Sequence, residues 1–302
     1  MSAVGEAEKS LSARLIQYAG ERFPLPANGL LTALMCAGSI APLDLSPPQP
    51  LWQAALSFLA LLPLFFIMRV ADEHKDFADD SAYRPERPVP RGLVSLGELR
   101  GAAAVAGVVP LVLAVAFSPL SIVPLLLALA WIGAMSFEFG VKHWLRAHPL
   151  AYLFSHMLVM PLLALVAISF AVPDTEAFFS ARVAMVLGLA FAAGLSLEIG
   201  RKVWAPAEER EGVETYSKLW GPTTAAIVWL AAASAALILG AAAADPRLPI
   251  LFTAGVLILI GAMAALRFIG RTDVTHAKQL RAVVVLGVAA AYGLAIAGAM
   301  LP

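Results

Sequence analysis

The chain is poor in charge and has almost no cysteine. Asp, Glu, Lys and Arg make up 14% of its 302 residues, where an ordinary soluble domain carries about 25%. That deficit excludes a large soluble domain. The single cysteine, Cys36, excludes a disulfide framework within the chain. It lies inside an apolar run and reads as a small packing residue. Lys and Arg balance Asp and Glu at 21 each, so no net field points to a polyanionic partner, and nucleic acid is not expected as one. No Ser-His-Asp or Cys-His grouping is visible. His74 sits among carboxylates but has no cysteine or second histidine near it, which makes a poor zinc site. The first 25 residues are polar and charged, so no cleavable signal peptide is expected.

What the sequence does have is long apolar runs. Hydrophobic residues reach 60% and the mean hydropathy is +0.82. Nine runs stand out, at 27–43, 51–71, 98–117, 119–138, 150–172, 178–199, 222–243, 248–269 and 281–300. Each approaches the roughly 20 residues a helix needs to cross a bilayer. Lipid cannot satisfy exposed backbone groups, so the expected fold is all-α: a multi-pass helical bundle around a central cavity. Residues 1–26 form an interfacial N-terminal segment in this reading, and 27–302 a single transmembrane domain. In the first segment Leu11, Leu15, Ile16 and Tyr18 have helical spacing, which predicts a short helix on the membrane surface with no part in chemistry.

Of the 21 Lys and Arg, all but Arg182 and Arg247 precede the first run or flank the loops after runs two, four, six and eight. By the positive-inside rule those loops and the N-terminus are cytoplasmic, and the C-terminus lies outside. The outward loops, such as "LDLSPPQP" and "VPDTEA", read as proline-rich turns. Trp52, Trp144, Trp204 and Trp220 fall near run ends, as interfacial anchors do. Two inward loops are long and charged, from Arg69 to about Leu99 and from Glu198 to about Gly221. The echo between them is compatible with a weak internal repeat.

In the first loop Glu73, Asp76 and Asp80 recur at i, i+3 and i+7, and Asp72, Asp76 and Asp79 at i, i+4 and i+7. A helix continued through them gathers carboxylates on one face, where like charges repel. A divalent cation relieves that repulsion, and carboxylate oxygens suit Mg²⁺. A solvated acidic helix cap is the plain alternative. Arg84, Arg87 and Arg91 follow in "YRPERPVPRG", with prolines that end the helix. An acidic metal face beside an arginine-rich turn is the expected receiver for a diphosphate.

This stretch resembles the first signature of the UbiA superfamily of intramembrane prenyltransferases: Asn-Asp, two residues, Asp, three residues, Asp, two residues, Asn-Arg-Pro-x-Arg-Pro, then glycine. Asp72 takes the Asn position and Glu73 the first Asp. Asp76, Asp80, Arg84, Pro85, Arg87, Pro88 and Gly92 match in register, and Tyr83 replaces the second Asn. The family's second signature is similar to "LEIGRKVWAPAEEREGVETYSKLWG", with Gly212, Thr215 and Gly221 at its spacing. Its aspartates are absent here. Lys202 stands where the first is expected, and Glu208 or Glu209 where the last is.

The resemblance implies a Mg²⁺-dependent enzyme that transfers an isoprenoid from a polyprenyl diphosphate to an acceptor within the membrane. It implies Asp72, Glu73, Asp76 and Asp80 as catalytic residues, and Glu73, Asp76, Asp80, Glu198 and Glu208 as metal ligands. Arg84, Arg87, Lys142, Arg201 and Lys202 become diphosphate contacts. The altered second motif leaves open a second metal ion or its replacement by Arg201 and Lys202. Cyclisation of the isoprenoid and transfer of a sugar phosphate to a polyprenyl phosphate remain alternative enzymes, and an ion transporter the alternative outside enzymes. Glu138 lies at a run end and needs a partner, for which Lys142 at i+4 is the expected choice. His156 reads as a satisfied core histidine, with acceptor contact as the alternative.

Overall fold

The structure is a computed structural model that describes residues 9–43, 45, 51–172, 174–243 and 246–301. The outward loop at 46–50, and positions 173, 244 and 245 of the next outward loops, lie outside the described residues. Among the described residues there are helices and turns only. In chain order they are α1 (Leu11–Arg22), α2 (Leu25–Ile40), α3 (Leu51–Lys75), α4 (Phe77–Tyr83), α5 (Leu96–Phe117), α6 (Ile122–Ser136), α7 (Lys142–Ala147), α8 (Pro149–Met157), α9 (Val159–Ser169), α10 (Ala181–Arg201), α11 (Tyr216–Trp220), α12 (Pro222–Ala243), α13 (Leu248–Gly270) and α14 (Val274–Met300).

Nine stretches of these helices are long and apolar enough to cross a bilayer, α8 and α9 counting together as one. They match the nine runs of the sequence. The helix starts are set by local chemistry. Ser95 and Glu98 form a capping box at α5, with Ser95 Oγ accepting from the Glu98 amide at 3.1 Å and Glu98 Oε2 accepting from the Ser95 amide at 2.8 Å. Ser180 and Asp273 cap α10 and α14 through single side-chain acceptors, each satisfying an amide with no partner inside the helix.

Packing runs in sequence from α2 through α3, α5, α6, α9, α10, α12 and α14, and α14 returns to α2. The bundle therefore closes on itself. Span α10 is the most enclosed and α5 the least. Val105 and Val115 on α5 are about 70% exposed, a lipid-facing pattern in a helix that is apolar all round. Small residues bring the enclosed helices together, because water does not drive helix association inside lipid and close contact has to. A Cβ on Gly38 of α2 would lie 3.0 Å from Tyr292 Cβ of α14, and one on Gly240 of α12 would lie 2.2 Å from the Ala291 carbonyl oxygen of the same helix α14.

That second contact is backbone and cannot swing aside. Gly240→Ala is expected to lower stability by about 1–3 kcal/mol through forced separation of α12 and α14. Gly255→Ala, where the added carbon meets open space, is expected to leave it unchanged or slightly higher. Thermal unfolding in detergent checks both, and an unaltered melting temperature for Gly240→Ala would contradict this packing.

Candidate active site

The first acidic stretch sits where α3 ends. The expected single helix bends: α3 stops at Lys75, Asp76 takes the N-cap position of the short α4 without a side-chain cap bond, and α4 ends at Tyr83. Backbone bonds from Asp76 to Asp72, Asp80 to Asp76 and Arg84 to Asp80 carry the i→i−4 ladder through the bend at 2.8–2.9 Å. The bend separates the carboxylates into two environments. Glu73 and Asp80 are buried, and Asp72 and Asp76 are not.

Each buried carboxylate of this stretch is held by two arginines. Glu73 Oε1 accepts from Arg22 Nε at 2.7 Å and lies 3.5 Å from Arg69 Nε. Asp80 pairs with Arg84 at 3.1 Å and Arg87 at 2.6 Å. Burial of a carboxylate demands such pairing. The half-exposed Asp72 has Arg69 at 3.8 Å. Burial pushes the Asp76 carboxyl up from its ordinary range; Lys75 opposes this, while Asp72 and Asp80 add to it. No three His, Cys, Asp or Glu side chains converge as a ready metal site among the described residues. The stripe expected from Glu73, Asp76 and Asp80 is thus divided between arginine pairing and open carboxylate.

The second charged stretch repeats the arrangement. Glu198 is held by Lys202 at 2.9 Å and by Arg201 Nε at 2.7 Å. Glu208, expected as a metal ligand, is spent on structure. Its two oxygens take Arg281 of α14 at 2.7 and 3.0 Å, and one also takes the Ala205 amide at 3.1 Å. Arg281 additionally donates to the Val203 carbonyl at 3.0 Å, so the loop is pinned to the last span and both Glu208 oxygens are engaged. Its hydrogen bond with Arg281 holds the Glu208 carboxyl below its usual range. Thr215 donates to Glu209 at 2.6 Å and caps α11.

Gly212 and Tyr83 join the two loops. Gly212 has φ +69°, and a Cβ there would lie 2.2 Å from the Tyr83 ring. The tyrosine that departs from the resembled signature therefore packs directly on the glycine of the second one. Asp72 lies within electrostatic range of Arg201, across the gap between the loops.

Two further features lie beside this centre. The helix α1, expected on the membrane surface with no part in chemistry, clasps the first loop. Arg22 binds Glu73, Arg14 binds Glu98 at 3.0 Å and the Leu93 carbonyl at 3.1 Å, and Arg91 binds Glu21 at 2.7 Å. Tyr18 is fully buried against Val70, Val89, Leu93, Val94 and Leu99. Burial, reinforced by Glu73, raises the pKa of its hydroxyl. The charges of Arg14, Glu21 and Arg22 on a short helix were the available signal. The second correction concerns Glu138. It is buried, and its neighbours are Lys75 at 3.6 Å, Tyr152 at 3.4 Å and His156 at 3.5 Å. Glu138 and Phe139 have φ +50° and +52°, the only positive values among described residues other than glycine. These break the helix, so the i+4 relation to Lys142 does not exist. Lys142 instead begins α7 and is exposed. Each such φ costs on the order of 1 kcal/mol or more.

No family model matches the chain, and no curated protein matches it. Solved structures do. The apo structure of a UbiA homologue from Aeropyrum pernix K1 superposes with TM-score 0.68 at 16% identity, over 92% of this chain and 99% of that one. A structure reported for digeranylgeranylglyceryl phosphate synthase gives 0.61 at 14%, over 95% and 99%. The UbiA homologue from Archaeoglobus fulgidus bound to DMAPP and Mg²⁺ gives 0.58 at 16%, over 93% and 99%.

The chain has the UbiA fold. It is a multi-pass membrane protein whose two charged loops meet at one end of that fold.

Replacing Glu73 by Gln is expected to remove about 3 kcal/mol of stability, because two arginines lose their buried partner. Asp76→Asn should act in the opposite direction without Mg²⁺. A folded-state carboxyl that keeps its proton longer than in the unfolded chain loses stability as pH rises past the ordinary aspartate value. A neutral amide at position 76 would remove that loss, so the variant should melt higher at neutral pH and show a flatter pH dependence. Melting curves between pH 4 and 8 check the pair, and an Asp76→Asn protein that melts lower contradicts the unpaired state of Asp76.

Proposed function

We propose that this chain is a Mg²⁺-dependent intramembrane prenyltransferase. It would move an isoprenoid from a polyprenyl diphosphate to an acceptor drawn from the membrane. One observation carries the reading: at one end of an apolar bundle, three carboxylates are each held by two cationic side chains, next to Asp76, which has no ion pair among the described residues, and Asp72, which has only a long contact with Arg69. Glu73 has Arg22 and Arg69, Asp80 has Arg84 and Arg87, and Glu198 has Arg201 and Lys202. The trios on Asp80 and Glu198 each keep one positive charge in excess, which is what an incoming diphosphate requires, while Arg69 of the third is shared with Asp72.

The open carboxylates of the first stretch fit one Mg²⁺. Asp72 and Asp76 would hold it, in keeping with an ion that takes one or two carboxylates and completes its shell with water and phosphate oxygens. Bound there, it would draw charge from the departing diphosphate. In the second motif Glu198 and Glu208 are committed to cations, and Glu209 accepts from Thr215. Arg201 and Lys202 take over that side as fixed charge, with Lys202 a compact phosphate binder. Arg84 and Arg87 are aimed by Asp80 and supply forked contacts. Exposed Lys142 completes the set from the neighbouring turn. The apolar spans hold the isoprenoid tail and keep water from the allylic cation. The distribution of Lys and Arg supports a cytoplasmic site.

Asp76→Ala is expected to abolish Mg²⁺-dependent diphosphate release, a loss of at least about 10²-fold of the kind seen when charge stabilisation is removed from a leaving group. Purified protein in nanodiscs with labelled geranyl diphosphate provides the assay. Release that needs added membrane lipid supports transfer, release with donor alone supports cyclisation, and intact turnover in the variant rejects the site. Lys202→Asp should raise the Mg²⁺ concentration needed for half-maximal rate or introduce a second metal-dependent phase. If metal dependence stays the same, Lys202 does not replace a second metal ion.

A further inference from the structure

The buried group around Glu138 has no part in the chemistry derived so far. Glu138 comes from the strained turn after α6, and His156 from α8, two turns inside the span that begins at Pro149. Both are at least nine-tenths buried. His156 Nδ1 lies 2.9 Å from the Tyr152 carbonyl. A carbonyl only accepts, so that nitrogen carries the proton, and in the neutral ring Nε2 is bare. Glu138 Oε2 faces Nε2 at 3.5 Å, and neither atom has a hydrogen-bond partner. With the ring neutral, two lone pairs face each other at 3.5 Å.

Buried polar atoms are almost always satisfied, and here two adjacent ones are not, in a turn that keeps two residues in the left-handed region. Such strain collects at functional sites. The surroundings fix the pair rigidly. The Tyr152 ring stacks on His156 at 3.9 Å and 12°, and Phe139 meets it edge-on at 5.8 Å. Lys75 donates to the Tyr152 hydroxyl at 2.7 Å and sits 3.6 Å from Glu138 Oε1. The charged and titratable groups that face the ring are Lys75 and Asp72 from α3, Glu138 from the turn and Tyr152 from its own helix.

We propose that Glu138 and His156 together accept the proton that the acceptor loses when it captures the isoprenoid. This inference rests on the prenyl-transfer reading. In that step the bond between allylic carbon and diphosphate oxygen breaks, with its electron pair leaving on the diphosphate. A new bond forms between that carbon and the acceptor atom. The acceptor's own bond to hydrogen breaks, and the proton goes to His156 Nε2, where Glu138 Oε2 receives it as a charge-assisted hydrogen bond. The placement suits that role: Lys75 ends the helix that carries Asp72, and His156 lies deeper, between the headgroup loops and the apolar interior.

Histidine labelled with ¹⁵N, in the full chain in lipid nanodiscs, reads the pair directly. The signal lost in His156→Asn assigns the ring among the five histidines. At neutral pH a ring protonated on Nδ1 and bare on Nε2 is expected, gaining the second proton on acidification. A ring with Nε2 already protonated at neutral pH overturns the proposal. In the same preparation, with Mg²⁺, geranyl diphosphate and membrane lipid, His156→Asn and Glu138→Gln should bind the diphosphate as the wild type does. Their transfer should be slower by about 10²-fold, as when a general base is removed. Equal loss of diphosphate binding marks the pair as structural, and wild-type transfer in both variants overturns it as well. Absence of diphosphate release from the wild type would instead reject the function proposed above, and this role with it.

Discussion

Carboxylates placed at the end of an apolar bundle must be compensated, and that requirement organises this protein. An unpaired buried charge is among the most unfavourable elements a fold can contain. Here the answer is over-compensation: Glu73, Asp80 and Glu198 each attract two cations. The acidic residues thereby become anchors that position arginine and lysine. A lone guanidinium on a loop would sample many rotamers, whereas one fixed on a buried carboxylate points in a set direction. The excess charge of the trios on Asp80 and Glu198 is thus held in place before any anion arrives, and such preorganisation is what makes fixed charge effective in a water-poor site.

The two loops that carry these trios need to meet at a defined distance, and backbone geometry secures it. Gly212 adopts a left-handed φ and leaves room for the Tyr83 ring, which no larger residue would. Arg281 fixes the second loop to α14 through Glu208 and the Val203 carbonyl. Helix α1 fixes the first through Arg22, Arg14 and Glu21. One loop is therefore tied to the last helix of the chain and the other to the first, so the site depends on closure of the bundle between α2 and α14.

The spans were legible in the sequence because lipid tolerates few solutions, and a run of about 20 apolar residues has essentially one. The motif residues were legible by spacing. Their partners were not, because partners are set by folding at a distance. Arg22 and Glu73 are 51 residues apart, and Lys75 and Tyr152 are 77. The bend at Asp76 was hidden too, since the sequence from Asp72 to Tyr83 contains no glycine or proline to announce it. Glu138 shows the opposite failure. Its i+4 relation to Lys142 is sound helix reasoning, but Phe139 and Glu138 leave the helical region, and the glycine at 140 is the one local sign of a break.

The difference between the two motifs then has a physical reading. In the first, Asp76 has no ion pair among the described residues and Asp72 only a long contact with Arg69, beside two cationic trios. In the second, Glu198 and Glu208 are paired with cations and Glu209 with Thr215, and Lys202 stands where the first aspartate is expected. A bound cation contributes two charges but has to be recruited and held by anions, while a lysine and an arginine contribute their charges permanently. Under the proposed function, fixed charge on the second loop supplies what a second ion would bring. The same logic explains why Glu198 is present where the aspartates are not. Without it, Arg201 and Lys202 would repel each other at one end of α10, and with it they become a rigid unit bearing one net positive charge.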